Sequence, residues 1–485
     1  MASPNRSLIS TSISLATVLS AFALLPATAT ASPTIPAGDG GSSGAADTTA
    51  ALIASAAASS TNGAERRRAA QRRGGKVRVA WPQRKGAAAP DSRLARWLAR
   101  QVGPIAVRPA RRGAARRDTR ALAAASATAP LAAASAAAPG SAAQEQLLLV
   151  RSFDIPAGEP RYAALANYSW TYDNALAVFA FLSVGARAQA EQLLDQLRAL
   201  QLADGSLDFA YNVQTGVGAG RARSGAMAWV GLAASAYRRQ YGNSRYDKLI
   251  EGVLDHLLAL RTSDGLVKGG SDVAWVSTQH NLLTIGLLRD VVDQIGTGNK
   301  KLGEWTGSQL HDIQNSMGNA VLSKTLVQNG AYAYFIAGVG DRAVPTDVQA
   351  LGALYLQLRG DGRATQVADN LARNGFLIAP RKTPAGAGPY SGFRPYLDAG
   401  SPDVVWSEGT FEAALALKRL GVASAATTTA VSQLTGSTDN GTVAPIGADR
   451  NVDGTKWGEF HTWPTSAAAS WLLVLNASNQ LLYAR

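Results

Sequence analysis

From about residue 146 onward the chain alternates two kinds of helical segment. The first kind is apolar on nearly all sides and covers about 172–183, 226–237, 279–294, 346–359, 407–420 and 466–475. The second kind is amphipathic. In 187–202, Leu193, Leu194, Leu197 and Leu200 share a face while Glu191, Asp195 and Arg198 lie elsewhere, and in 244–261 Leu249, Ile250, Val253, Leu254, Leu257 and Leu258 share another. Segments 303–323, 362–375 and 423–435 complete the third, fourth and fifth pairs. Turns at Asp204-Gly-Ser206 and Asp264-Gly265 close the first two pairs. The partner of the sixth apolar helix is either the tail 477–484 or a helix from residues 142–152.

A helix without a polar face belongs in an interior, and a half-polar helix covers it. Corresponding positions, Tyr172, Trp229, Gln279, Asp347, Glu408 and Trp463, are spaced by 57, 50, 68, 61 and 55 residues. A hairpin repeated at that interval cannot bury its apolar helix alone, but six hairpins in a closed ring can. The predicted fold is therefore all-α, an (α/α)6 toroid of helical hairpins. An open solenoid would need polar capping repeats, which the sequence lacks.

Polar and aromatic residues gather where each apolar helix begins. The clusters are Trp170-Thr-Tyr-Asp-Asn174, Trp229, Trp275-Val-Ser-Thr-Gln-His-Asn281, Thr346-Asp-Val-Gln349, Trp406-Ser-Glu-Gly-Thr410 and His461-Thr-Trp463. In a closed ring they converge on one face. Flat rings with carboxylates and amides suit a polysaccharide: Trp170, Tyr172, Trp229, Trp275 and Trp406 are candidate sugar platforms. Gln279, His280, Asn281, Gln349, His461 and Trp463 are candidate substrate contacts, joined by Asp208 and Tyr211 from the stretch after the first turn. Glycoside cleavage needs two carboxyl groups, and Asp173 and Glu408 are the chosen pair, with Asp347 a third candidate. The competing reading of each acid is a cap on free helix N–H groups. His256, His280, His311 and His461 lack paired metal-ligand spacing, and no cofactor is implied.

Composition divides the 485 residues differently. Arg6, an apolar run within Leu8–Leu25 and small residues at 27–31 form a secretory signal peptide over 1–31, so the protein is expected to be secreted or associated with the cell envelope. Residues 32–145 form an Ala- and Arg-rich leader expected to be disordered, within which Leu94–Leu98 alone has the pattern of an amphipathic helical turn. Residues 146–485 form the toroid domain. Of the net charge of +13, residues 61–120 supply +15, from 18 Lys and Arg against three acids, so the remainder is near neutral. The leader is a candidate for attachment to an anionic envelope polymer, or else a solvated linker. Its basic run lacks interleaved aromatics, which argues against nucleic acid. There is no cysteine, hence neither a disulfide nor a cysteine nucleophile.

On Tyr172-Asp-Asn-Ala-Leu-Ala177, Asp204-Gly-Ser206, Ser277-Thr-Gln-His-Asn281, Thr346-Asp-Val-Gln349 and Trp406-Ser-Glu-Gly-Thr410, the chain resembles the bacterial six-hairpin glycosidase superfamily over about residues 160–476. The resemblance implies a barrel that cleaves a glycan, often by inversion, and includes β-glucanases. Its members commonly carry an acid where this chain has Gln279, and an amide cannot act as a general acid. Catalysis then falls to Asp173, Asp347 and Glu408, or the chain is a noncatalytic glycan-binding relative. A polysaccharide lyase is the third reading, disfavoured by the near-neutral domain.

Overall fold

Each of the six apolar segments forms a helix whose first residue is Ser or Thr, and that residue is tied to the loop ahead of the next helix. The computed structural model describes residues 92–105, 146–382, 389–398, 400–422, 434–437, 443–455 and 458–477. The helices are α1 (Ser92–Arg100), α2 (Thr171–Ser183), α3 (Arg187–Leu200), α4 (Ser224–Tyr241), α5 (Asp247–Ala259), α6 (Thr278–Ile295), α7 (Gly307–Thr325), α8 (Thr346–Arg359), α9 (Arg363–Arg373), α10 (Ser407–Leu420) and α11 (Ser466–Asn476). The expected signal peptide, most of the expected leader and residues 423–433 of the helix expected over 423–435 lie outside the described residues, and the end of that segment is not helical: Thr435 opens a strand, Thr435–Ser437, paired with Val443–Pro445.

Helices α2, α4, α6, α8, α10 and α11 form the inner ring. Each packs against the next and α11 packs against α2, so the ring closes. Helices α3, α5, α7 and α9 lie outside α2, α4, α6 and α8, and the leucine faces foreseen for α3 and α5 are buried except for the half-buried Leu200. The expected toroid is present.

Backbone bonds close the circle a second time. The first N–H groups of α2, α4, α6, α8 and α10, at Thr171, Ser224, Thr278, Thr346 and Ser407, donate to the carbonyls of Phe209, Gly269, Ala337, Pro395 and Gly447. That of α11, at Ser466, donates to Ser152, ahead of α2. Four of the hydroxyls extend the pattern, donating to the carbonyl one residue earlier: Thr171 to Asp208 and Thr278 to Ile336 at 2.6 Å, Thr346 to Arg394, and Ser466 to Arg151 at 2.6 Å. A helix leaves its first N–H groups unsatisfied, and here the neighbouring hairpin satisfies one per helix.

The loops at this end carry short antiparallel ladders that the helical reading did not foresee. Tyr168–Trp170 pairs with Ala210–Asn212, and Val344–Pro345 pairs with Tyr396–Leu397.

The sixth hairpin is completed from an unexpected place. Of the two expected partners, residues 146–152 are not helical, and 142–145 and 478–485 lie outside the described residues. Instead α1, from the stretch assigned to the leader, packs on α11 and buries Leu94, Trp97 and Leu98. Val102 bridges Val150, and Arg151 Nε donates to the Gly103 carbonyl at 3.1 Å. The amphipathic turn read at Leu94–Leu98 is thus the core of a longer helix, whose three large apolar residues need a partner surface to form it at all.

Trp97→Ala should therefore destabilise the ring by about 3–5 kcal/mol in denaturant unfolding, as a buried indole is replaced by a cavity. A loss below about 0.5 kcal/mol, the range of a surface change, would mean that α1 is not part of the folded unit.

Candidate active site

The common helix starts put equivalent side chains at one height. Counting from the residue before each inner helix, the second positions are Tyr172, Gly225, Gln279, Asp347, Glu408 and Ala467, and the sixth are Leu176, Trp229, Leu283, Leu351, Glu412 and Trp471. The first layer is mostly polar and the second mostly apolar. The sequence alignment of repeats therefore slipped by one turn at two places: Gly225 and Ala467, rather than Trp229 and Trp463, stand level with Tyr172.

Tyr172 crosses the ring. Its hydroxyl donates to Glu408 Oε1 at 2.5 Å and accepts from Trp471 Nε1 at 3.2 Å. Gln279 Nε2 donates to Asp347 Oδ2 at 2.5 Å, and the Val348 N–H donates to Asp347 Oδ1 at 2.9 Å. The Ser152 hydroxyl bonds Asp173. Exposure is 5% for Asp173, 1% for Asp347, 7% for Glu408 and 2% for Glu412.

Burial dominates the ionisation of all four acids. Taking a carboxylate out of water favours its neutral form, and Asp173 and Asp347 are pushed up to about 7. Glu408 is pushed up to about 8 by burial and then by the charges of Asp173 and Asp347, against the hydrogen bond from Tyr172. Glu412 lies well above the usual carboxylate range, through burial and the charges of Asp347 and Glu408. The Tyr172 phenol is also raised well above its ordinary value, by burial and then by the neighbouring Glu408 charge. Near neutral pH this cluster holds carboxylic acid beside carboxylate, as acid–base chemistry requires.

Asp173 and Glu408 come together as expected. With Phe153, Trp170, Trp406 and Thr465 they line one pocket, whose free volume of 10 Å³ is about that of one water. Asp347 stands on the other side of Glu408, on α8. Its bond from Val348 fits the capping reading in part, whereas Asp173 faces the pocket.

Most expected sugar platforms are corrected. Trp229 is core: its ring lies 5.9 Å from Tyr172, 5.6 Å from Phe179 and 5.6 Å from Trp471, edge-on in each case. Trp170 and Trp406 are buried in the pocket wall, and Tyr172 is buried as a hydrogen-bonding group. Trp463 is buried too, stacked on His461 at 3.9 Å, while His461 Nε2 meets Glu459 at 3.2 Å. Trp275 alone of the five keeps partial exposure. It lies on Gly338, where an added Cβ would fall 2.5 Å from the indole, so glycine there is what lets the ring lie flat. A deep ring interior needs large apolar volume, and that demand took the aromatics a cleft was expected to use.

The expected polar contacts divide likewise. His280 is fully buried against Ser224 Oγ at 2.7 Å and pushed down to about 3, by burial and then Arg223, so it is a neutral wall residue and not a sugar contact. Asn281 and Gln349 are backbone clamps: each accepts an N–H at 2.8 Å, from Val267 and Phe335, and donates to the carbonyl four residues earlier. Asn174 and Thr410 repeat the device. Tyr211 is buried and accepts the Asp208 N–H at 3.0 Å, and Asp208 is half-buried, its carboxyl raised by burial. Gln279 keeps its Oε1 buried without a hydrogen-bond partner among the described residues. Glu412 was missed, although a second acid one turn after Glu408 on an otherwise apolar helix was a legible signal.

No family model matches the sequence, and no curated protein matches it. Among solved structures, the chain is similar to a glycosidase in its wild-type form, at 14% identity and a TM-score of 0.48, over 69% of this chain and 92% of that one. It is similar to a bacterial glucoamylase complexed with acarbose, at 15% identity and a TM-score of 0.46, over 64% of this chain. The match spans about half, 49%, of the glucoamylase. An alpha-amylase from Clostridium perfringens is similar at 8% identity and a TM-score of 0.43, over 64% of this chain and 86% of that one.

The raised carboxyls set the sign of a pH effect. An unfolded Glu loses its proton near pH ~4, but folded Glu408 holds it to about 8. The folded state therefore binds more protons across that window, and stability present below it is lost as pH rises through it. Glu408→Gln should raise the melting temperature, relative to the native chain, by roughly several degrees more at pH ~8.5 than at pH ~5. A difference independent of pH, measured by calorimetry, would contradict this.

Proposed function

We propose that the chain is a secreted glycoside hydrolase that cleaves a polysaccharide or oligosaccharide, in the first instance a glucan, by an inverting two-carboxylate mechanism. The observation that carries this reading is the pair Asp173 and Glu408, brought from α2 and α10 to one pocket at the end where all six inner helices begin.

Glu408 is the general acid. Raised to about 8, it holds its proton near neutral pH and can give it to the leaving glycosidic oxygen. The Tyr172 hydroxyl, at 2.5 Å, then stabilises the carboxylate left behind. Asp173, at about 7, ionises first and is the general base that takes a proton from the attacking water. Asp347, held by Gln279 and its own backbone, supplies negative charge that keeps Glu408 protonated. Gln279 in this role orients a carboxylate and transfers no proton. Trp275, which keeps partial exposure, is the sugar platform.

A second reading, a noncatalytic glycan-binding protein of the cell envelope, is favoured by the narrow pocket, which has room for about one water, and by Gln279 in place of an acid. A panel of α- and β-glucans, including β-1,2-glucan, scored for new reducing ends separates the two. Asp173→Asn and Glu408→Gln should each lower release by roughly 10²–10⁴-fold with glycan binding retained. Binding without release by the native chain would sink the hydrolase reading; full activity in both variants would sink the assignment of the pair.

A further inference from the structure

One buried acid is not used by that mechanism. Glu412 lies one turn below Glu408 on α10, in the layer otherwise formed by Leu176, Trp229, Leu283, Leu351 and Trp471. Residues four apart on a helix share a face, with Cβ atoms about 6 Å apart. Glu412 Oε1 is buried without a hydrogen-bond partner among the described residues.

The charged and titratable groups that reach Glu412 are Glu408 on its own helix, Asp347 on α8 and the Tyr172 phenol on α2. None of these carries positive charge. An ionised carboxylate so placed is strongly disfavoured, and an apolar residue of similar volume would pack there without that burden. Stability does not account for an acid at this position. What Glu412 does offer is a carboxyl on the same helical face as Glu408, whose Oε1 is already engaged by Tyr172.

We propose that Glu412 is a positioning residue: its carboxylic acid donates a hydrogen bond to the second oxygen of Glu408 whenever Glu408 is ionised. This rests on the general-acid role argued above for Glu408. In the step concerned, the O–H bond of Glu408 breaks, its proton goes to the glycosidic oxygen, and the electron pair stays on the Glu408 carboxylate. Glu412 keeps its proton and shares it across the pair, so the carboxylate lies between two donors, the Tyr172 phenol and the Glu412 acid. Water returns the proton to Glu408 after the products leave. The unpartnered Oε1 of Glu412 thereby gains a hydrogen bond.

The test uses the full chain with Glu412→Gln, which keeps a donor, and Glu412→Leu, which does not. Carbon-13 carboxyl shifts give the Glu408 titration without any need for turnover. Its midpoint should stay near the native value in Glu412→Gln and rise by roughly one pH unit in Glu412→Leu, because a lost donor disfavours the ionised form. The alkaline limb of kcat should move with it, and kcat in Glu412→Leu should fall roughly tenfold to hundredfold. A midpoint that falls, or one that moves equally in both variants or in neither, overturns the proposal. A midpoint that rises in Glu412→Leu alone while no glycan is cleaved leaves the pairing standing and removes the hydrolase reading. Glu412→Met replaces Glu412→Leu if the latter does not fold.

Discussion

The structure depends on one repeated interaction: the first N–H of each inner helix is given to a carbonyl in the loop of the next hairpin. A helix end buried without such a partner would strand a donor in the interior. Because the bond recurs at Thr171, Ser224, Thr278, Thr346, Ser407 and Ser466, it sets six helices at the same axial height and returns the last to the first. The amide clamps of Asn174, Asn281 and Gln349 lock the same junctions from one turn deeper. Height, once common, determines which side chains can meet. Tyr172 reaches Glu408 across the ring only because both occupy the second position of their helices.

That arrangement gathers acids where acids are least welcome. Asp173, Asp347, Glu408 and Glu412 are all buried, and each is shifted toward its neutral form. Two features offset the cost in part. The inner helices present their N-terminal, partially positive ends to this region, and Tyr172, Gln279 and Ser152 donate hydrogen bonds to the carboxyl groups. What is left uncompensated in Asp173, Asp347 and Glu408 is an ability to exchange protons near neutral pH, a property that a core built for stability alone would not keep.

The aromatic residues show the opposite demand. A ring of six helices encloses a wide interior that aliphatic side chains alone fill poorly, and Trp229, Trp471 and Phe179 fill it edge to face. From the sequence, Trp229 and a sugar platform look identical, because both are large rings near a helix start. The slip of one turn at Trp229 and Trp463 has the same origin: the aromatic residue is the conspicuous one, while Gly225 and Ala467, the true equivalents, carry no chemical signal. The recurrent Ser or Thr at the first helical position was the quieter and better register mark.

What the sequence determined by itself was periodic. Alternation of all-round apolar and one-face apolar segments specified six inner helices, the covering helices α3, α5, α7 and α9 and the ring, with the starts of α8, α10 and α11 read to the residue. It also put Asp173, Asp347 and Glu408 at one end, since position along a helix is local information. Only the tertiary structure decided which of those groups touch, which aromatics are walls, and that α1, read as a fragment of the leader, covers α11. The reason is physical: helical periodicity lies within a segment, whereas burial, pairing and the closing of a ring depend on partners tens to hundreds of residues away, as Tyr172 and Glu408 are 236 apart.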